Sequence, residues 1–257
     1  MADATSEKPT RRVFVKTFGC QMNVYDSGKM RALLAQDGFA PTTDMSEADL
    51  VIVNTCSVRE KPEQKLHSFL GTAFREKRRN ATERPMTVAV AGCVAQQEGR
   101  KLLKRYRELD LVFGPDAVPR IVSLVSAAQE APVLDTEFLD SDDYVFAADL
   151  DPEQASRVSA FVTIQKGCDN KCTFCIVPAT RGPELSRPSD QILQEVRELA
   201  ARGVREVTLL GQNVNSYGLK VPGERTFARL LYAVAEVPGV ERIRYTTSHP
   251  RDMGPDV

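Results

Sequence analysis

Long apolar segments are what this chain lacks. No apolar run approaches the roughly 18 residues a helical span requires, and the first ten residues are small and polar, without the apolar block of a secretion signal. Those ten residues are expected to be a disordered tail. With no export signal, the six cysteines point to a reducing, cytoplasmic setting in which paired disulfides are uncommon. Thiols there are more often buried, catalytic or metal-bound. A large net charge is also missing: the formal value is −1 over 257 residues. The charge is nevertheless uneven. Residues 1–127 carry 20 basic and 15 acidic side chains, residues 128–157 one and nine, and residues 158–257 thirteen and eleven. Both flanking lobes are therefore mildly basic, which permits contact with a polyanion without demonstrating it.

Residues 11–127 read as repeated strand–helix units. Runs rich in Val and Ile at Arg12–Phe18, Leu50–Asn54, Met86–Ala91 and Leu111–Phe113 predict strands. Helices are predicted over Val24–Asp37, closed by Gly38, and over Pro62–Arg79, Val94–Arg107 and Ala117–Gln129. Such alternation implies an open parallel sheet with helices on both faces. Cys20 follows the first strand, Cys56 the second and Cys93 the third, at separations of 36 and 37 residues. Loops at the carboxyl ends of parallel strands form the ligand-binding edge of such folds, so three equivalent loops bring the three thiols together. Each lies near a helix start, where the dipole favours thiolate by roughly 0.3–1 kcal/mol. Asn23 is expected to cap the first helix, and Gly19 and Gly92 to allow close backbone approach. One cysteine after a strand is more often a small buried hydrophobe; three in matching loops point to a metal site.

Residues 128–157 lose the alternation and concentrate acid, which reads as an exposed acidic linker. Beyond it, residues 158–257 open with a strand-like run, Ser159–Lys166, that leads into GCDNKCTFCIVPATRG. Cys168, Cys172 and Cys175 form C-x3-C-x2-C. Three soft sulfur ligands on one loop suit three corners of a 4Fe–4S cube and leave one iron open, because no fourth cysteine follows. A structural zinc site wants four ligands, for which this lobe offers only His249 in addition. A ferredoxin-type carrier supplies four cysteines per cluster, and a redox dithiol would leave Cys168 without a purpose. A helix capped by Ser189 and ended by Gly203, a strand at Glu206–Leu210, a helix at Phe227–Val237 and a strand at Arg242–Thr247 complete the reading. This is the first part of a β/α barrel, with its chemistry at the carboxyl ends of the strands.

The motifs TFGCQMNVYDS, VNTCSVRE, AGCVAQQEG, KGCDNKCTFCIVPATRG, LLGQNVNSYG and RIRYTTSHP resemble those of the radical S-adenosylmethionine methylthiotransferases. GQNVNSYG and YTTSHP look like the branch that modifies isopentenyl-adenosine beside the anticodon of tRNA. The resemblance implies two 4Fe–4S clusters. Cys168, Cys172 and Cys175 would hold the radical-generating one, whose open iron chelates S-adenosylmethionine. Cys20, Cys56 and Cys93 would hold an auxiliary one that carries the sulfur to be donated. It further implies Phe174, Gln212, Asn213 and Ser248 as cofactor contacts, a tRNA substrate, a flavodoxin-like or ferredoxin-like reductant protein and a monomer. No catalytic residue beyond the cluster ligands is assigned. Family members continue well past this point, so the chain is expected to be a fragment that stops partway round the barrel.

Plainer readings stand beside several of these. Loop capping suits Gln212, Asn213 and Ser248 equally well, and ordinary packing suits Phe174. Arg181 and Arg187 are candidates for phosphate or cofactor carboxylate, or for surface ion pairs. The run Arg75, Lys77, Arg78 and Arg79 reads first as a solvated helix face, and His67 as inert. Methylthiolation of a ribosomal protein is the rival with the same chemistry. A non-catalytic iron–sulfur or zinc module is the rival from another class.

Overall fold

The computed structural model describes residues 11–58, 60–82, 84–139, 144, 146, 151 and 157–257, with the side chains of 60–63 excepted. Two parallel sheets organise it. The first runs β2–β1–β3–β4–β5–β6, made by Arg11–Phe18 (β1), Phe39–Pro41 (β2), Leu50–Thr55 (β3), Thr87–Gly92 (β4), Leu111–Phe113 (β5) and Val133–Asp135 (β6). Every residue of β3 is buried. It lies at the centre of the sheet with helices on both faces, and that position explains its continuous apolar run in place of an alternating one. Helices Gln21–Gln36 (α1), Glu60–Arg79 (α2), Cys93–Arg105 (α3) and Ile121–Ala127 (α4) cover the sheet. One apolar layer gathers Met30, Leu34, Ile52 and Phe113; the other gathers Val51, Val53, Leu66, Leu70 and Val90. Burying each such side chain contributes roughly 1.5–3 kcal/mol.

The second sheet is β11–β10–β7, again parallel, from Ser159–Thr163 (β7), Glu206–Leu210 (β10) and Arg242–Thr246 (β11). A two-residue antiparallel pair, Gln165–Lys166 (β8) with Leu185–Ser186 (β9), brackets the cysteine loop. Within that loop Val177–Arg181 forms a short helix, α5. Ser189–Ala201 (α6) and Phe227–Ala235 (α7) pack on the sheet through Ile192, Val196, Leu230 and Val234.

The first half docks on the second through α1. Met22 and Tyr25 pack with Leu210 and Phe161. Two buried ionic clamps reinforce the seam. Lys29 Nζ lies 2.9 Å from Glu195 Oε1, with Arg187 on the other carboxylate oxygen, and Lys166 Nζ lies 2.5 Å from Asp116 Oδ2. Because α1 is enclosed by sheet and by barrel, buried residues such as Met22, Tyr25, Lys29 and Leu34 lie on several of its faces. This accounts for its sparse apolar periodicity.

Several expectations need correction. Asn23 does not cap α1: it lies inside the helix, Cys20 is the N-cap position, and the cap makes no side-chain bond. Ser189 is the first residue of α6 and Pro188 its cap. The 117–129 helix begins as a 3-10 segment, Pro115–Arg120, because Pro119 cannot donate to an α-helical ladder. The acidic segment is not an exposed connector throughout. Val133–Asp135 adds the edge strand β6, and buried Asp151 pairs with Arg31 at 2.7 Å. Residues 140–143, 145, 147–150 and 152–156 of that segment lie outside the described residues, as does the expected tail, 1–10. The basic run on α2 keeps the solvated face expected of it, with Arg78 and Arg79 mostly exposed, while Lys77 pairs with Asp110, Arg78 with Glu108 and Arg79 with Glu76.

Candidate metal centres

The register of the first sheet brings three loops to one row. Phe18 pairs with Thr55, and Thr55 pairs with Gly92. Cys20, Cys56 and Cys93 leave the sheet within two residues of that row, on strands about 4.8 Å apart. Their thiols meet. Cys56 lies within hydrogen-bonding reach of Cys20 on one side and Cys93 on the other. Hydrogen bonding from Cys56 is the largest influence on both neighbours, pulling Cys20 down to about 5 and Cys93 well below the ordinary thiol range, while Cys56 is pushed up.

Beneath the thiols lies a polar brace absent from the sequence reading. Asn23 Nδ2 donates to Asn54 Oδ1 at 3.0 Å, and Asn54 Nδ2 donates to Asn23 O at 2.8 Å and to Ser27 Oγ at 3.0 Å. Asn23 Oδ1 accepts from the Cys20 thiol at 3.3 Å. The two expected glycines serve this brace. A Cβ on Gly19 would stand 2.6 Å from Asn23 Oδ1. One on Gly92, whose φ is +89°, would collide with the Asn54 side chain and stand 2.7 Å from the Thr55 carbonyl oxygen. A polar residue at the end of an apolar strand, Asn54 after LVIV, was the available signal.

The second half reaches into this site through α5. Arg181 is buried, 2.7 Å from Asp26 Oδ2, and in hydrogen-bonding reach of Cys93, as is Thr180. Burial raises the Asp26 carboxyl to about 6 even against the adjacent guanidinium. Burial also opposes the charge on Arg181, but Asp26, Cys93 and Cys20 together outweigh it and hold its proton more tightly than usual.

Cys168, Cys172 and Cys175 stay local to one loop. Asn170 N donates to Cys168 Sγ at 3.4 Å, and Cys175 N donates to Cys172 O at 3.1 Å. Cys168 is buried and its thiol is pushed up by desolvation, while Cys172 and Cys175 are partly exposed. Phe174 between them is 92% exposed, so ordinary packing within this chain does not account for it. His249 Nε2 is 3.8 Å from Cys172 Sγ, while its Nδ1 accepts from Arg251 N at 3.2 Å. In that tautomer the proton sits on Nε2 and faces the sulfur. His249 is therefore placed as a hydrogen-bond donor to Cys172 and not as a fourth ligand.

The remaining expected residues divide. Asn213 is buried with both ends engaged: Nδ2 donates to Asp252 Oδ2 at 2.7 Å, and Oδ1 accepts from His249 N at 3.0 Å. The loop-tying reading replaces cofactor contact for Asn213, and Asn215, which no sequence argument singled out, ties the same loop at 2.7 and 2.9 Å. Gln212 is half-buried and Ser248 exposed at the carboxyl edge of the second sheet. Thr247 there has φ +67°, rare for a β-branched residue and costing about 1–3 kcal/mol. Arg187 is 1% exposed and committed to Glu195, which removes it from any surface or phosphate role.

The donor sets suit iron–sulfur clusters better than a single ion. Each trio is sulfur only, and among the described residues no three His, Cys, Asp or Glu side chains converge on one ion position. Some of the buried polar atoms without a hydrogen-bond partner lie at these places, Thr55 Oγ1 and Ser57 Oγ beside Cys56, Asn170 Oδ1 inside the second loop and Gln212 Oε1 at the edge above β10, while others such as Gln96 Oε1 and Asp116 Oδ1 lie elsewhere. A bound group with acceptors and donors of its own is what such atoms require.

Comparison with known proteins matches both halves. Residues 12–114 fit the model of an uncharacterized protein family, UPF0004, and residues 162–257 that of the radical SAM superfamily. The chain is 51% identical over 248 residues to the tRNA-2-methylthio-N(6)-dimethylallyladenosine synthase of Geobacter metallireducens, covering 95% of this chain and 55% of that protein. It is 53% identical over 251 residues to the synthase of the same name from Myxococcus xanthus, covering 96% and 52%. The chain thus spans about half the length of these curated relatives. Among solved structures, it resembles the radical S-adenosylmethionine methyltransferase TsrM of Kitasatospora setae, with a TM-score of 0.56 at 14% identity over 86% of this chain and 50% of that one. It also resembles the cobalamin-dependent S-adenosylmethionine radical enzyme OxsB, with a TM-score of 0.59 at 9% identity over 96% and 40%. These two likenesses concern the fold. Half the residues being shared with the synthases along nearly the whole length, over both matched regions, the chain belongs to the radical S-adenosylmethionine methylthiotransferase family.

Proposed function

We propose that this chain carries the two cluster sites of a tRNA methylthiotransferase acting on isopentenyl-adenosine beside the anticodon. The observation that carries the reading is the meeting of Cys20, Cys56 and Cys93 at one sheet edge, with a helix from the other cysteine loop laid against them. Cys168, Cys172 and Cys175 would hold one 4Fe–4S cluster with S-adenosylmethionine, and the first trio would hold the other. When bound, these groups supply one-electron cleavage of the sulfonium and a sulfur for transfer.

The chain's own residues supply placement. The Asn23–Asn54 brace and the β1–β3–β4 register fix the first trio on rigid strands. Asn213 and Asn215 hold the loop that aims His249 at Cys172. Phe174 stands out from the loop, available to an adenine face, with Gln212 and Ser248 at the same edge. Keeping a radical source and a sulfur source as separate sites facing one substrate is the arrangement that proximity catalysis requires. A flavodoxin-like or ferredoxin-like reductant protein, a monomeric state and a cytoplasmic setting belong to the same reading. Among the described residues no helix is long and apolar enough to cross a membrane.

Anaerobic reconstitution followed by reduction with S-adenosylmethionine tests the chemistry. Release of deoxyadenosine is expected; stoichiometric zinc without cofactor cleavage would replace the reading with that of a scaffold module. Modified-nucleoside analysis of a deletion strain tests the substrate. Unchanged methylthio-adenosine content in tRNA would favour the ribosomal-protein alternative.

A further inference from the structure

We propose that Arg181, held by Asp26, is a positioning residue that sets the charge beside the first cysteine trio and raises the reduction potential of the cluster bound there. The proposal rests on the reading of Cys20, Cys56 and Cys93 as cluster ligands.

Among the described residues, three groups of buried charge cross the seam between the halves. Lys29, Arg187 and Glu195 form one, Lys166 and Asp116 the second, and Arg181 and Asp26 the third. The first two clamp the halves and touch no cysteine. The third is different. α5 begins two residues after Cys175, packs against α3, and ends at Arg181, whose guanidinium reaches Cys93, the first residue of α3, while its charge is also felt at Cys20. Asp26 lies on α1, six residues after Cys20. The pair is thus bonded to the cysteine loop of one half and to two sulfur-bearing elements of the other.

Buried ion pairs are poor stabilisers, because desolvation offsets their attraction. A seam already clamped twice gains little from a third pair, whereas a thiolate-ligated cluster gains a local counter-charge. The magnitude favours this. Charges within a few ångströms in a dry site interact by several kcal/mol even at an effective dielectric near 20. A cation there favours whichever cluster state carries more electrons, as charge and hydrogen bonding around cluster sulfurs do in general. Asp26 opposes it, so the two residues have opposite signs of effect.

That sign difference separates charge-setting from mere structure. The test uses the chain with Cys168, Cys172 and Cys175 replaced by alanine, reconstituted anaerobically so that only the first site holds iron, and an EPR-monitored redox titration. Arg181→Met is expected to shift the reduced-to-oxidised ratio at least tenfold toward oxidised, a fall of about 59 mV for one electron. Asp26→Asn is expected to shift it the other way, and Arg181→Lys to stay near the parent value. If Arg181→Met fails to retain iron, Asp26→Asn and Arg181→Lys decide by the same criteria. Iron bound at about four per chain with the potential unmoved in the variants that retain it overturns the role of Arg181. Absence of iron from the parent triple variant instead overturns the cluster reading beneath it.

Discussion

The two cysteine trios reach their geometry by opposite routes. Cys168, Cys172 and Cys175 are neighbours in sequence, so eight residues of loop define their site, and two of the three thiols are partly open to solvent. Cys20, Cys56 and Cys93 are spread over 74 residues and meet because three parallel strands end in register. The first kind of site depends on a motif; the second depends on a fold. Damage to the sheet should therefore erase one site and spare the other, and that asymmetry can be probed at several depths.

The largest expected effect comes from the loop. Alanine at Cys168, Cys172 and Cys175 together should abolish reductive cleavage of S-adenosylmethionine, measured as deoxyadenosine, while the first site keeps its iron. Cleavage persisting in that variant would mean the local trio is not the radical source. Next comes the seam. Asp116→Ala leaves Lys166 buried without its carboxylate, and breaking such a pair costs about 3–5 kcal/mol. Chemical denaturation should show that loss, and a change under 1 kcal/mol would place the pair in solvent. A smaller, more selective effect is expected at Gly92→Ala. Its Cβ is obstructed by the asparagine brace and its φ is positive, so stability should fall by about 1–3 kcal/mol and iron should be lost from the first site alone. Gly203→Ala, at φ +100° with open space around it, serves as the control and should leave both sites loaded. Smallest is Asn213→Ala, which removes two hydrogen bonds from the His249 loop. It should cost about 1–3 kcal/mol and slow cofactor cleavage without changing iron content. Equal iron loss at both sites would contradict the division.

The same contrast explains what could be read from the residues alone. The C-x3-C-x2-C loop is legible without a fold, and Cys20, Cys56 and Cys93 became legible once strand–helix spacing placed them in equivalent loops. Strands β2 and β6 were not: Phe39–Pro41 ends in a proline and Val133–Asp135 ends in acid, whereas the equally short β5 is apolar throughout. Asn23 looked like a cap by position and type, yet its side chain turns inward to Asn54. Arg181 and Arg187 offered only surface or ligand readings, since partners such as Asp26 and Glu195 are tertiary neighbours that spacing does not reveal. Asn213 was left between cofactor contact and loop capping, because only the fold brings His249 and Asp252 to it and favours the second.

Iron and sulfide counting on anaerobically prepared protein, with and without alanine at Cys20, Cys56 and Cys93, addresses the fold-assembled site most directly. The account predicts about eight irons per chain for the parent and about four for the variant, with cofactor cleavage retained. An iron content unchanged by removing those three thiols would contradict it.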